Sequence, residues 1–295
     1  MVKTRRGRWL TAVILSVAGL VGFVWYVNQS VGDSANAASA TPTEMDVAKE
    51  SGVGTPTMSE VLDMAIEVRK KMAGTLDDYQ AKLVKQEVDR NGVLGGVTEM
   101  SIKVQTRVRG GREDAPMRVY LKFEAPSEVK GREVIWAEDQ YDGKLVVHEV
   151  GLLLGLKTLW LDPEGVIAMR GQRYPIGEIG LVKLTEKLIE RGEKDRHNPD
   201  ISVTKGDDPS TDNEAFQLIQ IRRAKPSGLE DDFSLAEITF DADRELILSY
   251  RSFGWPKDST EEPPLLESYS YRDVETNVGL TDTDFDISNP EYSYP

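Results

Sequence analysis

Short segments in which apolar and polar residues alternate recur along this sequence, and they constrain the fold more than any other feature. The clearest is 98–108, where Met100, Ile102 and Val104 alternate with polar residues. Successive side chains of a β-strand point to opposite faces, so this segment predicts a strand with one apolar and one solvated face. Similar or weaker alternation predicts strands in 79–83, 117–123, 132–136, 145–150, 201–204, 216–221, 233–240, 246–250 and 266–271. With one further segment described below, the short spacing predicts about 10–11 strands with antiparallel neighbours.

Two segments have helical spacing instead. The first, 57–74, opens with Thr57 and Glu60 in capping-box spacing, and its apolar residues recur every three or four positions. This pattern predicts an amphipathic helix that covers the sheet. The second, 176–191, follows Pro175, a residue favoured at the start of helices. The leucines of this second segment share one face: Leu181, Leu184 and Leu188.

The segment 151–161 differs from the other predicted strands because both of its alternating sets are apolar. A strand with one face in water does not need this pattern. Two interpretations stay open: a strand buried between helix and sheet, which we favour, or one wall of an apolar ligand cavity.

The N-terminus is basic and then apolar. A 19-residue uncharged segment begins at Trp9 and ends at Val27, close to the ~20 residues that cross a bilayer as a helix. The positive-inside rule predicts a cytoplasmic start and an exported remainder. Residues 1–28 are therefore predicted to be a signal anchor, which we favour, or a cleaved signal peptide. Residues 29–56 are small and polar and predict a flexible tether, which leaves 57–295 as the folded domain.

These features predict a protein of the cell envelope, held by its N-terminal segment at the periplasmic face of the inner membrane. The alternative is a cleaved form that is soluble in the periplasm. The membrane is thus the first predicted partner of the chain.

The charge of the chain is unevenly distributed around a net value of −14. Four of its 36 basic residues and one of its 50 acidic residues lie in 1–40, so 41–295 carries 32 and 49, a net charge of −17. Such a domain repels phosphate backbones, and we predict no nucleic-acid partner. The Arg-Gly-Gly-Arg run at 109–112 predicts a hairpin turn, because glycine readily adopts positive φ.

Sequence signatures of catalysis and metal binding are missing. The chain has no cysteine, two histidines (His148 and His197), and no G-x-S-x-G, H-E-x-x-H, P-loop or G-x-G-x-x-G motif. The acidic run 282–286 imitates the start of a calcium loop, but Ile287 and Ser293 stand where an EF-hand needs Gly and Glu. We therefore predict a protein that is not an enzyme and that has neither cofactor nor metal.

The order of predicted elements resembles that of the outer-membrane lipoprotein carriers, the LolA-like superfamily. The stretch 117–148 contains a strand with a following Pro and Lys-Gly, then a second strand, an Asp-Gly turn and a third strand, a run typical of that superfamily. The longer stretch 59–294 is similar to a bacterial family called domain of unknown function 1571, above all in 161–181 and 277–294. The resemblance implies an α+β fold in which an antiparallel half-barrel wraps on a covering helix. In the carriers its concave side shelters acyl chains.

The resemblance also implies noncatalytic binding of a lipid, lipoprotein or other amphiphile in an apolar half-barrel. The candidate cavity lining consists of apolar residues from the predicted strands: Met100, Ile102, Val104, Val119, Leu121, Phe123, Val134, Trp136, Leu154 and Trp160. Ordinary core packing is their alternative role. A second hypothesis is a protein-interaction or envelope-stress sensor module without lipid cargo. It would bind an envelope protein through exposed strand edges or through Tyr292 and Tyr294.

Overall fold

A computed structural model of the protein describes residues 55–150, 158–228, 232–258 and 260–295. The predicted membrane segment, nearly all of the predicted tether, and Leu154 lie outside these residues. Within the described part of the chain, none of the helices combines the length and the apolar character needed to cross a membrane.

The described residues form one antiparallel sheet of eleven strands. In chain order the strands are β1 (Asp78–Glu87), β2 (Thr98–Gln105), β3 (Arg118–Ala125), β4 (Glu133–Ala137), β5 (Leu145–His148), β6 (Thr158–Leu161), β7 (Ile201–Asp207), β8 (Phe216–Arg223), β9 (Leu235–Asp241), β10 (Leu246–Phe253) and β11 (Leu265–Thr276). Their spatial order is β6-β5-β4-β3-β2-β1-β11-β10-β9-β8-β7, so the first and last strands pair at the centre. The predicted α+β half-barrel, its strand number and its antiparallel pairing are confirmed.

Alternation of side chains gives the sheet an inner face, which contacts two helices, and an outer face. On β2, Ile102 lies opposite Ala81 of β1 and Leu121 of β3, and all three are buried. The next residue, Lys103, points to the outer face and pairs with Asp284 at 2.7 Å. The apolar set predicted for this strand is therefore the inner, buried set.

Helix α1 (Met58–Thr75) covers the inner face, as the sequence predicts. Glu60 N donates to Thr57 Oγ1 at 3.2 Å and Thr57 N donates to Glu60 Oε2 at 2.7 Å, which confirms the capping box. Each bond satisfies a backbone N–H that has no partner within the helix. The buried side chains of α1 lie on one face: Val61, Leu62, Ala65, Val68 and Met72.

Helix α2 (Leu181–Glu193) begins five residues later than predicted, after a separate 3-10 turn at Ile176–Glu178. Gly180 separates them with a φ of 106°, a conformation that favours glycine. The hydroxyl of Tyr79 accepts a hydrogen bond from Leu181 N at 3.0 Å, and that of Tyr271 accepts one from Gly180 N at 2.8 Å. A Cβ at Gly180 would lie 2.8 Å from the Tyr79 hydroxyl oxygen, so contacts with the sheet fix where the helix starts.

Ion pairs tie α1 to α2. Arg69 of α1 pairs with Glu186 of α2 at 2.8 Å, and Asp63 of α1 pairs with Arg196, just after α2, at 2.7 Å. Partly exposed pairs of this kind contribute at most about 1 kcal/mol each. Their main consequence is geometric, because they hold the two helices side by side over the sheet.

The glycine-rich run 109–112 forms the predicted turn between β2 and β3. Gly110 and Gly111 have φ values of 67° and 71°, in the region that favours glycine. Arg109 Nη1 donates to Thr106 O at 3.1 Å, which fastens the turn to the end of β2.

The segment 151–161 differs from its prediction. Its described part, Thr158–Leu161, is β6 and forms one edge of the sheet. Trp160 is 47% exposed, so this part is not buried between helix and sheet, in contrast to the interpretation that we favoured. An edge strand pairs on one side only, which leaves its side chains fewer contacts.

The C-terminal residues cover the outer face of β3–β5. Phe285 is fully buried in a cluster with Tyr120, Ile135 and Val146. Tyr292 stacks on Tyr120 with ring centroids 4.1 Å apart. Tyr294, two residues further on, donates a hydrogen bond from its hydroxyl to Val146 O at 2.8 Å. The two tyrosines therefore fasten the C-terminus to the sheet, which leaves exposed strand edges as the other binding feature that the second hypothesis named.

Candidate ligand cavity

A cavity of about 330 Å³ lies between the first turns of α1, the last turns of α2 and the inner face of β8–β10. For comparison, an apolar cavity of ~150 Å³ holds benzene, and ligand pockets span roughly 300–1,000 Å³. The space is therefore sufficient for a small apolar ligand or for part of an acyl chain.

The walls of the cavity are largely apolar. The sheet contributes Ile219, Ile221, Ala236, Ile238, Ile247 and Tyr250, and the helices contribute Met58, Val61, Leu62, Met64, Ala65 and Leu188. Two of these are alanines, whose short side chains leave space that leucine or isoleucine would fill. An apolar lining of this kind favours apolar ligand atoms over water.

Gly192, near the end of α2, brings the two helices close together beside the cavity. A Cβ at this position would lie 2.5 Å from Leu62 Cδ2 and 2.9 Å from Met58 Cε. Glycine therefore permits the side chains of α1 to pack directly against the backbone of α2. The cavity lies next to this close contact because Met58, Leu62 and Gly192 all belong to its lining.

The charged side chains of the lining are Arg191, Lys194, Asp195 and Arg223. Lys194 is exposed, as is Ser227, so these two residues mark where the cavity meets solvent. The other three charged residues are buried or partly buried. The cavity thus has apolar walls and a charged rim.

Arg191 is held by acceptors on the sheet and on the loop before α2. Its guanidinium pairs with Glu267 at 2.7 Å and donates to the hydroxyls of Tyr250 at 3.3 Å and Tyr174 at 2.5 Å. Burial lowers the pKa of Arg191, but Glu267 and the two tyrosines outweigh it, so its pKa lies above the usual value. Burial and the charge of Glu267 raise the pKa of Tyr250 to about 12. Arg191 is therefore a fixed cation and Tyr250 a neutral hydroxyl that accepts from it at physiological pH.

Arg223 forms a second buried cation at the rim. Its guanidinium pairs with Asp195 and with Asp232, the latter at 3.3 Å, and stacks over the Phe233 ring at 5.0 Å. Burial raises the pKa of Asp232, but hydrogen bonds from Ser227 and Trp255 and the charge of Arg223 outweigh burial. The pKa of Asp232 therefore lies below its usual value. Both carboxylates are thus engaged by the arginine.

A buried carboxylate, Glu87, joins the loop before α2 to the sheet. It accepts hydrogen bonds from Lys85 Nζ at 2.9 Å, from Arg173 N at 3.0 Å and from the Tyr269 hydroxyl. Burial raises the pKa of Glu87, but Lys85 and these hydrogen bonds outweigh it and lower the pKa below its usual value. Burial and the charges of Glu267 and Glu87 raise the pKa of Tyr269. This network holds the loop that carries Tyr174 against the sheet. Tyr174 is one of the hydrogen-bond partners of Arg191.

The residues predicted to line the cavity lie elsewhere. Eight of them are on the inner face of β2–β4 and belong to or pack against the core: Met100, Ile102, Val104, Val119, Leu121, Phe123, Val134 and Trp136. None of the described candidates lines the cavity of about 330 Å³. The gap beside Val104 measures about 10 Å³, room for a single water. We call the inner face of β1–β4 the packed half and that of β8–β10 the open half.

Trp160, a further predicted lining residue, lies on the opposite face of the sheet. It pairs with Val146 across β5 and β6 and packs edge-on against Tyr141, with ring centroids 5.6 Å apart. Because Val146 belongs to the outer-face cluster, Trp160 does not share a cavity with the inner-face candidates.

The residues of the open half were missed as a site, although their segments were predicted as strands and as the first helix. Their apolar alternation is the same as that of the packed half, so periodicity alone does not distinguish the two. Among the described residues, no group of three or more histidine, aspartate or glutamate side chains is placed to hold a metal ion. Asp284 of the acidic run pairs with Lys103, as noted, and Asp282 pairs with Arg118.

Comparisons with known proteins give one family and several structures. A family described as “Protein of unknown function (DUF1571)” matches residues 76–294, which confirms the predicted family and covers all but the first 17 residues of the predicted stretch 59–294. The comparison with curated proteins found no match. A DUF1329 family protein from Desulfovibrio piger is similar at 12% sequence identity and a TM-score of 0.36, with 78% of this chain and 98% of that chain covered.

Two further solved structures are similar in the same range. A putative outer membrane lipoprotein-sorting protein domain from Vibrio parahaemolyticus has 10% identity and a TM-score of 0.34, over 76% of this chain and 95% of that chain. The MucA/MucB complex from Pseudomonas aeruginosa has 14% identity and a TM-score of 0.38, over 76% of this chain and 60% of that chain.

Proposed function

This chain belongs to the DUF1571 family, and we propose that it is a noncatalytic envelope protein that binds an amphiphile, such as a lipid or the acyl chain of a lipoprotein. The observation that carries the proposal is the cavity of about 330 Å³ in the open half, with apolar walls and a charged rim. Apolar walls favour alkyl groups, and each CH₂ that leaves water gains about 0.8 kcal/mol. A polar headgroup would stay at the rim near Lys194 and Ser227, where the cavity meets solvent.

The position of the cavity agrees with attachment to a membrane. Met58, the first residue of α1, lines the cavity. The predicted tether would precede this helix in the chain, and we propose that the predicted N-terminal anchor holds the domain at the periplasmic face of the inner membrane. Alkaline phosphatase fused after Pro295 should be active, because that enzyme folds only when exported; an inactive fusion would contradict the proposed location.

Photo-crosslinking tests the ligand. The full chain is reconstituted in phosphatidylcholine nanodiscs with a photoreactive palmitic acid and illuminated, and the crosslinked peptides are identified by mass spectrometry. We expect crosslinks in α1, α2 and β8–β10. Ala236→Phe should remove most of them because the phenyl ring occupies the cavity, which Ala236 lines.

Ala224→Phe is the matched control, since Ala224 is exposed just after β8 and lies outside the described lining. This variant should keep the wild-type crosslinks. Crosslinks confined to the predicted anchor, or equal crosslinking of the cavity peptides in both variants, would contradict amphiphile binding. Circular dichroism of both variants checks that they fold.

A second candidate function is protein interaction or envelope-stress sensing without lipid. Two observations favour it: Val166 and Ile167, on the loop after β6, are 90% and 64% exposed, and β6 and β7 each have a single neighbour in the described sheet. Exposed apolar groups and strand edges are common protein-binding features. Val166→Ser with Ile167→Ser should abolish capture of a specific envelope protein if this function is correct, and should leave lipid crosslinking unchanged.

A further inference from the structure

The charged residues that line the cavity are mostly basic, although the chain as a whole has more acidic than basic residues. Residues 41–295 carry 49 acidic and 32 basic residues, whereas the charged residues of the cavity lining are three basic and one acidic. Arg191 and Arg223 are paired with carboxylates, so the local attraction for anions at this rim comes from Lys194, while the surrounding acidic surface repels anions elsewhere.

The acidic groups around this rim are already engaged. Glu267 accepts from Arg191, as described above, and Asp195 accepts from Arg223. On the outside of the same helix end, Glu193 and Asp63 both pair with Arg196 at 2.7 Å. Asp195 shares Arg223 with Asp232, and Glu193 shares Arg196 with Asp63, so each of these carboxylates has an arginine partner. None of them pairs with Lys194.

Lys194 is the cation that stays available. It is exposed, it lines the cavity, and it forms no ion pair with any described residue. Its ammonium group has three donors, and it stands where the apolar lining meets solvent. A headgroup held there would leave its alkyl chain in contact with the apolar walls.

We infer that the cavity selects amphiphiles with an anionic headgroup, a phosphate or carboxylate, which Lys194 binds at the rim while the alkyl chain occupies the open half. The inference rests on the proposed function. Charge-assisted hydrogen bonds to phosphate or carboxylate are stronger than neutral ones. Because Lys194 is exposed, solvent screens the attraction, and we expect about a three- to tenfold preference over a neutral headgroup, smaller at high salt.

Competition with amphiphiles of equal chain length tests this selectivity. The full chain in phosphatidylcholine nanodiscs is crosslinked to the photoreactive palmitic acid in the presence of dodecyl phosphate, monolaurin or dodecyltrimethylammonium, all below their micellar concentrations. Dodecyl phosphate should compete at the lowest concentration and dodecyltrimethylammonium at the highest. Inorganic phosphate should not compete, since it lacks the chain; competition by inorganic phosphate as strong as that by dodecyl phosphate would overturn the inference.

Charge reversal at Lys194 provides the variant test. Lys194→Glu should abolish or invert the preference, while Lys70→Glu, an equal charge change at an exposed site of α1 outside the described lining, should keep it. Equal competition by the three amphiphiles in the wild type, or an unchanged preference in Lys194→Glu, would overturn the inference and leave the proposed function standing. Failure of every amphiphile to compete, together with no crosslinks in the cavity peptides, would overturn both.

Discussion

The packed half and the open half of the inner face share one sheet and one covering helix, yet they are filled to very different degrees. Beside Val104 in the packed half the free space is about 10 Å³, whereas the open half contains about 330 Å³. Both consist of alternating strands with buried apolar residues. Alternation therefore decides which face of the sheet is dry, and the side chains laid against that face decide whether it is filled.

The covering side chains differ between the halves. In the packed half the 3-10 turn before α2 approaches so closely that a Cβ at Gly177 would lie 3.1 Å from Trp136 Cη2. Trp136 itself is 6% exposed and donates from Nε1 to Gly143 O at 3.1 Å. In the open half the corresponding inward residues include Ala65 and Ala236. Large rings fill the first space, and small side chains leave the second open.

The largest expected difference concerns two isoleucines on the same face. Ile102 in the packed half and Ile238 in the open half are 1% and 5% exposed. Truncation to alanine costs roughly 2–5 kcal/mol, depending on how many contacts are lost. We expect Ile102→Ala to lower the free energy of unfolding by about 4 kcal/mol and Ile238→Ala, whose side chain borders empty space, by about 2 kcal/mol. Urea unfolding of both variants measures this, and equal losses would mean that the halves are equally packed.

Enlarging an alanine is the opposite change in side-chain size, and it should again destabilise the packed half more than the open half. Ala81 in the packed half and Ala236 in the open half are 7% and 3% exposed. Ala81→Leu should destabilise by about 1–3 kcal/mol, because a filled core has no room for additional methyl groups. Ala236→Leu should change stability by less than about 1 kcal/mol, since the side chain enters the cavity. A loss in Ala236→Leu as large as in Ala81→Leu, by the same urea measurement, would show that the open half is not open.

Much of the fold was predictable because its signals are local. The capping box of Thr57 and Glu60, the glycine turn at 109–112 and the strand alternation each depend on residues a few positions apart. The start of α2 was not predictable in the same way, because Gly180 and Leu181 are held by Tyr271 and Tyr79, which lie 91 and 102 residues away in the sequence.

The site was less predictable than the fold for the same physical reason. Whether Val104 or Ile221 borders free space depends on side chains from other elements, and no periodicity in their own strands records it. The segment of Trp160 is apolar on both faces, so its sequence does not indicate which face points inward. The rim charges were missed since Lys194 and Arg223 lie at the ends of different elements that meet only in the folded chain.

Acid should weaken the junction at Glu87 between the loop before α2 and strands β1 and β11. The pKa of Glu87 lies below its ordinary value of 4.5, so the ionised form is favoured by folding and its contribution is present above about pH 4.5 and lost as pH falls through the lowered pKa. Glu87→Gln should cost about 2 kcal/mol at pH 7, through loss of charged hydrogen bonds. The difference from wild type should shrink below about pH 4.5.

Urea unfolding from pH 7 to pH 3 measures this dependence. Glu275→Gln is the matched control, because Glu275 is exposed on β11 and accepts from Gln80 Nε2 at 2.9 Å. Its effect should stay within about 0.5 kcal/mol at every pH. A cost of Glu87→Gln that is undiminished at pH 3 would show that the carboxylate charge does not stabilise this junction.

The smallest expected effect lies at the two ends of α1, which border different parts of the inner face. Thr57→Ala removes the cap beside the cavity and should cost about 1 kcal/mol, whereas Thr75→Ala, near the opposite end, removes one exposed bond from Thr75 Oγ1 to Lys71 O and should cost less than about 0.5 kcal/mol. The first turn of α1 contacts empty space through Met58, so fraying there disturbs few packed neighbours. Hydrogen exchange in Thr57→Ala should therefore accelerate in that first turn and leave β2 protected. Faster exchange in β2 would mean that the cap stabilises the packed half as well, and that the halves unfold as one unit.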